Sequence, residues 1–584
     1  MRVQRHRRPS PRAALGPHAV AGPVALLGLL VLAGCAGSAI RSQSPEIEAL
    51  SKLEAGTKLV GDYAVATGLG AKRIERAALI TGLAGTGSDP PPGPQRQTLL
   101  ADMQSRGVVD PNRLLASQAT SLAWVHGYLP AGVRKGDRFD VFVEVPPDND
   151  TTSIGGGWLM ETRLAEMALI GNVIRDGHEL GVAAGPLLVD PVTDGTRDSK
   201  SKLRARVPGG GVALVDREVG LALQPEHRSF AMSKRIGDWI NRRFHAVIRG
   251  SKRGVATPKT DRYVALDVPA VYRHNLPRFM RVVQCVAVIE PPEGRHSRLQ
   301  LLSRQLSDPV TAPTAALRLE AIGKEAVPVL RQALDSKDAT IRFAAAEALA
   351  YLGESVAAPK LAEAAATLRS ARPAALAALG VLDDAHGIDA LRSLLASQSA
   401  ETRYGAFRAL WRIDPDAPLI RGERLGEACT VHVLDVKGPP LVHVTRSHRP
   451  EVVFFGADHP LADGLRAEAG PSIVVVVDGA AARISRFTAG EPDQVVDAPA
   501  TADEGVRAIV EAGGTYPDVV QFLQQASARQ ALGSRLACDA LPSEWDGRGD
   551  IHEEASRRDR DISTDDAEDT TASARDAAGA DGSS

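Results

Sequence analysis

Apolar and polar side chains alternate or run apolar from Phe139 to Val145 (Phe-Asp-Val-Phe-Val-Glu-Val), the pattern of a half-buried strand. A different period governs Phe230–Phe244, where Met232, Ile236, Trp239, Ile240 and Phe244 recur at helical spacing. A second helix is predicted at Gln97–Arg106. The stretch from Gly61 to about Arg298 thus mixes strands and helices, punctuated by loops at Asp89–Gly93 and Pro146–Asp150. From Pro313 to Ile413 the pattern turns to Ala/Leu/Arg-rich helix. Strand patterning returns after Leu419, at Val431–Leu434, Glu451–Phe455 and Ser472–Val477. Two helices follow, at Ala502–Ala512 and Pro517–Arg529. Residues 544–584 are rich in Asp, Glu, Ser, Thr and Ala. Such a segment buries too little apolar surface to offset its ordering entropy, and a disordered acidic tail is predicted there.

The helical block carries an internal repeat. Val327–Gly353 and Ile388–Asp414 align so that Leu330 matches Leu391 and Arg342 matches Arg403, each 61 positions apart. A weaker copy with Leu361, Arg372 and Leu379 lies between them, and Leu319 and Gly323 mark a half repeat ahead. Paired helices with a period near 30–31 residues resemble short bacterial HEAT repeats. One such pair cannot bury its own apolar face, so stacking makes the core and leaves a long surface for partners.

The amino terminus reads as a targeting segment. Arg2, Arg5, Arg7, Arg8 and Arg12 precede an apolar run from Ala19 to Ala33, shorter than the ~20 residues a spanning helix needs. The run ends in Leu32-Ala33-Gly34-Cys35, which resembles a bacterial lipobox. That resemblance implies cleavage before Cys35, lipidation of Cys35, export, and anchoring to the outer membrane. A Ser-rich spacer with a short helix at Ile47–Leu53 would follow.

Composition narrows the functional classes. The 584 residues hold 69 Lys and Arg against 71 Asp and Glu, so no electrostatic footprint for nucleic acid exists at the level of the whole chain. Aromatic residues are 4%, too few for base-stacking platforms. Apart from Cys35, the cysteines are Cys285, Cys429 and Cys538, with no CxxC. One disulfide, for example Cys429–Cys538, and three inert thiols are both compatible with the spacing. Gly82–Gly87 lacks the Lys of a phosphate loop, and Gly155–Gly157 has no nucleophile elbow beside it. Asp190, Asp194 and Asp198 lack calcium-loop spacing, as do Asp148 and Asp150. No catalytic residue, metal site or cofactor is expected.

Three segments carry a family resemblance. Thr81–Asp89 reads TGLAGTGSD, with Gly82, Leu83, Gly85, Thr86, Gly87 and Asp89 in a repeated family turn. Leu129 and Pro130, then Gly136–Val141 with Gly136 and Asp140, match its next strand. Ser153–Leu164 (SIGGGWLMETRL), with Gly156 and Gly157, matches the following signature. In this order and spacing they resemble the bacterial flagellar P-ring protein. Arg235-Ile236 and Ile240-Asn241, Val264–Pro269, Phe279–Ile289 and the terminal helical pair extend the likeness. Residues 184–228 and 419–500 match poorly, and neither lipidation nor a HEAT-like insert is usual in the family, so this is a divergent relative.

The fold class implied is multidomain α+β. A signal peptide (1–34) and spacer (35–60) precede a P-ring-like region (61–300). An all-α HEAT-like solenoid (310–417) interrupts it before a second P-ring-like region (418–543) and the disordered tail (544–584). By resemblance, the chain is a non-enzymatic structural subunit that assembles with itself into a ring around the flagellar rod, against the L-ring and near peptidoglycan. A non-flagellar outer-membrane scaffold that binds an unknown protein through its HEAT-like repeats is the alternative.

Overall fold

The computed structural model describes residues 56–540 apart from 171–172, 190–198, 249–250, 291–293, 489 and 491. The signal, Cys35, the Ile47–Leu53 helix and the tail lie outside the described residues.

The strand-rich first part closes on itself. Arg138–Glu144, Ser121–Leu129, Lys72–Thr81, Trp158–Ile170, Val173–Pro186 and Arg204–Ala213 pair antiparallel in that order. Arg204–Ala213 then pairs back onto Arg138–Glu144, completing a six-stranded barrel, and the short strand Leu188–Val189 continues the Val173–Pro186 side along Ala205 and Arg206. Closure removes the exposed edges that an open sheet would present. The predicted alternation at Phe139–Val145 places Phe139, Val141 and Val143 in the barrel core with Ile74, Ile80, Val125 and Leu164.

The second module is a four-stranded antiparallel sheet, in the order Ala256–Pro258, Tyr263–Leu266, Val219–Leu223, Ala64–Thr67. The helices Phe230–Arg243 and Leu276–Gln284 accompany it, the first close to its predicted position. Ser229 caps the first: its Oγ accepts from the Met232 amide at 3.2 Å. The core of this module continues without a break into the helical array.

That array begins at Gly294, ahead of the position 310 expected from composition. Its pairs are Gly294–Leu306 with Ala312–Ile322, Val327–Ala333 with Ala339–Tyr351, Ala358–Thr367 with Arg372–Leu379, and Ala385–Leu394 with Ala400–Ile413. Alanines let neighbouring helices approach closely: Ala344, Ala345, Ala346, Ala348 and Ala350 are all buried. The repeat arginines have a common task. Arg342 donates to the carbonyls of Ser336 and Lys337, Arg372 to that of Ala365, and Arg403 to that of Leu395. Each guanidinium holds the end of the preceding helix or the connection after it.

The last part pairs a five-stranded mixed sheet with a four-stranded antiparallel one. The first runs Glu423–Leu425, Cys429–Leu434, Glu451–Phe455, Leu441–Val444, Arg535–Cys538, and the second Arg466–Ala469, Ile473–Asp478, Ala481–Arg486, Gln494–Pro499. The helices Ala502–Glu511 and Tyr516–Ala528 cover them around Phe454, Tyr516 and Phe522. Cys285, Cys429 and Cys538 are free thiols, so the Cys429–Cys538 bridge does not form. Cys429 is buried, which pushes its thiol up to about 12 and leaves it protonated and inert.

Candidate functional site: the signature turns and the seams they join

The signature residues build a seam at one end of the barrel, where the first and third motifs meet. Gly82 and Gly85 take φ of 76° and 78°, left-handed conformations that favour glycine, and turn the chain out of the strand Lys72–Thr81. The turn is then tied down. The Leu83 and Gly87 amides donate to the carbonyls of Ala119 and Gln118, at 3.0 and 2.8 Å. Thr86 Oγ1 donates to the Ser153 carbonyl at 2.7 Å, and the Thr152 amide returns a bond to the Thr86 carbonyl at 2.9 Å. A Cβ on Gly157 would stand 2.8 Å from both Ile80 and Leu83, so this glycine lets Leu83 seat in the barrel core. Asp89 lies outside the seam and accepts from Arg96 at 2.5 Å.

The second motif sits elsewhere on the barrel. Leu129 is fully buried, and its carbonyl accepts from the Arg217 guanidinium. The Pro130 carbonyl accepts from the Val133 amide at 3.4 Å, and the Gly136 amide donates to the Ala213 carbonyl at 2.8 Å. Phe139 is nested among glycines from three other strands. A Cβ on Gly127 or Gly181 would stand 2.6 or 2.9 Å from its ring, and one on Gly211 would overlap it.

Asp140 reaches a part of the chain that sequence spacing did not connect to it. Its Oδ1 accepts from the Gly209 amide at 2.9 Å and from the His448 amide at 2.6 Å, 308 positions away. Gly156, at φ 74°, faces the same carboxy-terminal module, where a Cβ would stand 2.9 Å from Pro471. Two signature residues therefore contact the module beyond the solenoid.

Both ends of the solenoid are joined to their neighbours by buried polar networks that carry no sequence signal. At the first seam Arg278, 4% exposed at its side chain, pairs with Glu320 at 2.5 Å and Glu347 at 2.6 Å. Tyr272 donates to Glu320 at 2.6 Å, and the Tyr272 and Tyr351 rings stack at 4.9 Å. Burial disfavours the Arg278 charge, but Glu320 and Glu347 outweigh it and hold the guanidinium protonated. At the second seam Glu451, in the five-stranded sheet, accepts from Tyr404 at 2.8 Å and Arg408 at 3.2 Å, both on the last solenoid helix. His443 stacks on Tyr404 at 3.7 Å. Burial drives His443 down to about 3 and keeps it neutral. Arg403 also crosses this seam, donating to the Pro439 carbonyl. The equivalent arginines pair instead with carboxylates of the next repeat, Arg342 with Glu363 and Arg372 with Glu401.

The arrangement is suited to holding domains in register. Among the described residues Ser534 stands beside His459 Nδ1 at 2.7 Å as a nucleophile would beside a base. Both are buried, and His459 Nε2 is engaged with the Gly456 carbonyl at 3.2 Å. Among the described residues no group of His, Cys, Asp and Glu is placed to hold a metal ion.

Comparison with known proteins matches two stretches of the chain. Residues 60–296 match the family described as Flagellar P-ring protein, and residues 297–372 match HEAT repeats. The chain is 27% identical over 247 residues to the Flagellar P-ring protein of Geobacter metallireducens, covering 40% of this chain and 61% of that protein. It is 27% identical over 248 residues to the one from Geobacter sulfurreducens, with the same coverages. It therefore spans about 61% of the length of these curated relatives. A solved structure, the complex of CpcE and CpcF of phycocyanin lyase from Nostoc sp. PCC7120, aligns at 25% identity. It covers 22% of this chain and 84% of that chain, with a TM-score of 0.18, too low to support an argument from fold.

Proposed function

We propose, with residues 60–296 belonging to a divergent branch of the flagellar P-ring family, that this chain is a structural ring subunit of the bacterial cell envelope. The observation that carries the reading is the family match over the region where the signature segments lie. In that region the first and third motifs lock one end of the barrel, and Asp140 and Gly156 hold the module beyond the solenoid. Copies would assemble head-to-tail, and such heterologous contacts close into a ring when the rotation between copies allows it. The ring would surround the flagellar rod in the periplasm, near peptidoglycan and against the L-ring, as a stiff bushing with no chemistry. Lipid on Cys35 would tether it to the outer membrane.

The second reading places the function in the solenoid: a non-flagellar lipoprotein scaffold whose HEAT repeats bind a protein partner. The match of residues 297–372 to HEAT repeats supports it, because a helical array offers an extended surface. Quantitative mass spectrometry of purified basal bodies from the native host separates the two. Many copies per rod support the ring subunit. Absence from basal bodies, with the chain retained in the outer-membrane fraction, sinks it in favour of the scaffold.

A further inference from the structure

Charge is distributed very unevenly along this nearly neutral chain. Phe230–Gly254 contains seven Lys and Arg against a single acid, Asp238. Residues 544–584 contain thirteen Asp and Glu against five Arg, and Asp561–Asp569 holds five acids with no base. In the structure the basic segment is the helix Phe230–Arg243 followed by the hairpin strands His245–Ile248 and Ser251–Gly254. The helix is fixed to the strand that follows the hairpin, where Asn241 accepts from the Ala256 amide at 2.7 Å and donates to its carbonyl at 2.8 Å, and the hairpin's Gly254 packs against the Asn241 side chain.

Lys234, Arg235, Arg242, Lys252 and Arg253 are all exposed. Arg242 lies over the Trp239 ring at 4.3 Å, and Arg253 has Asp267 at 3.9 Å, itself exposed. Lys234, Arg235 and Lys252 have no carboxylate partner among the described residues. From Lys234 to Arg242 the helix rises roughly 12 Å, so the cations form a stripe rather than a point. Such a stripe fits an extended anionic strand.

We propose that the occupant of this basic face is the chain's own acidic segment, residues 544–584. Charge complementarity selects it: a face from a segment with seven Lys and Arg against one acid, and a segment with thirteen acids against five Arg, belong to one polypeptide of net charge −2. Length permits it, because 41 residues reach up to roughly 140 Å when extended. The attraction is electrostatic and solvent-exposed, so salt weakens it on the Debye scale of about 10 Å at 0.1 M. Docking neutralises the stripe and lays the tail along the helix and hairpin, either of its own copy or of the adjacent one.

Zero-length carbodiimide coupling of the full-length chain, mapped by mass spectrometry, tests this directly. Lys234 and Lys252 are expected to couple to carboxylates within 544–584. Yield should fall at least about fivefold at about 0.5 M salt. The same loss is expected when Asp561, Asp565, Asp566, Glu568 and Asp569 are replaced by their amides, changes that leave residues 56–540 untouched. Arg235→Glu with Arg242→Glu should reduce coupling as well, with an unchanged circular dichroism spectrum as the folding control. Mixing isotopically light and heavy chains distinguishes docking within a copy from docking between copies, and either result supports the proposal. No coupling at Lys234 and Lys252, or equal coupling at Lys324 and Lys337 of the solenoid, overturns it. It is also overturned if the face binds anionic phosphatidylglycerol vesicles with equal affinity whether the tail is native or amidated, which assigns the face to a lipid surface.

Discussion

At the scale of single residues the barrel is specified by a large side chain seated among absent ones. Phe139 fills the space that Gly127, Gly181 and Gly211 leave open, so their value lies in lacking a Cβ. Gly211→Ala is expected to destabilise the chain by about 1–3 kcal/mol in denaturant melts, the range for overpacking. Phe139→Leu in the same chain should recover part of that loss. If Gly211→Ala is neutral, the ring does not occupy this nest. Asp140 acts over a longer distance. Asp140→Ala would leave the Gly209 and His448 amides without their carboxylate, at about 1–3 kcal/mol for the buried Gly209 donor and less for the half-buried His448. Hydrogen exchange should speed up at both amides together, and protection unchanged at His448 would refute the link between barrel and carboxy-terminal module.

At the scale of elements the solenoid is an internal part with a seam at each end. A buried ion pair adds little net stability over apolar packing, yet breaking it strands a charge. Arg278→Met is therefore expected to cost about 3–5 kcal/mol, while Arg278→Met with Glu320→Leu and Glu347→Leu should recover much of that. Equal damage in both variants would mean that packing, rather than the stranded carboxylates, dominates the seam. The repeat arginines show how one sequence feature can have two outcomes. Arg342 and Arg372 meet carboxylates of the next repeat, whereas Arg403, where the array ends, meets the Pro439 carbonyl. The repeat was legible because helical pairs must recur to bury their faces. Arg403's partner was not, because Pro439 belongs to the following module.

At the scale of the whole molecule the buried histidine gives a pH dependence with a definite sign. His443 stays neutral when folded until about pH 3, whereas an unfolded histidine takes up its proton near 6.5. Below 6.5 the unfolded state therefore binds more protons. Stability should fall as pH drops from 6.5 towards 3, by about 1.4 kcal/mol per pH unit for this group. Glu451 acts in the same direction. Burial opposes its charge, but Arg408, His432 and Arg449 together hold its carboxyl below the usual range. That contribution is present at neutral pH and is lost as pH falls through the folded value. Denaturant melts across pH 4–7 should show the slope, and His443→Gln should reduce it by about one proton. An unchanged slope would remove His443 from the cause.

Much of the architecture was legible from periodicity. Strand alternation, helical spacing and the repeat depend on neighbours within a few residues, and local geometry turns them directly into elements. The observed strand Glu451–Phe455 and helix Phe230–Arg243 follow from that local information. So do the segments that resemble the P-ring family, because the turns they encode need glycine wherever the chain must reverse. Barrel closure, the meeting of Asp140 with His448, the free state of Cys429 and Cys538, and the networks around Arg278 and Glu451 are different in kind. Each joins positions that are distant along the chain, and burial changes what a charged residue does. A basic residue in this sequence looks the same whether it is solvated or enclosed, and only the packed neighbours make Arg278 a register pin and leave Lys234 exposed among the described residues.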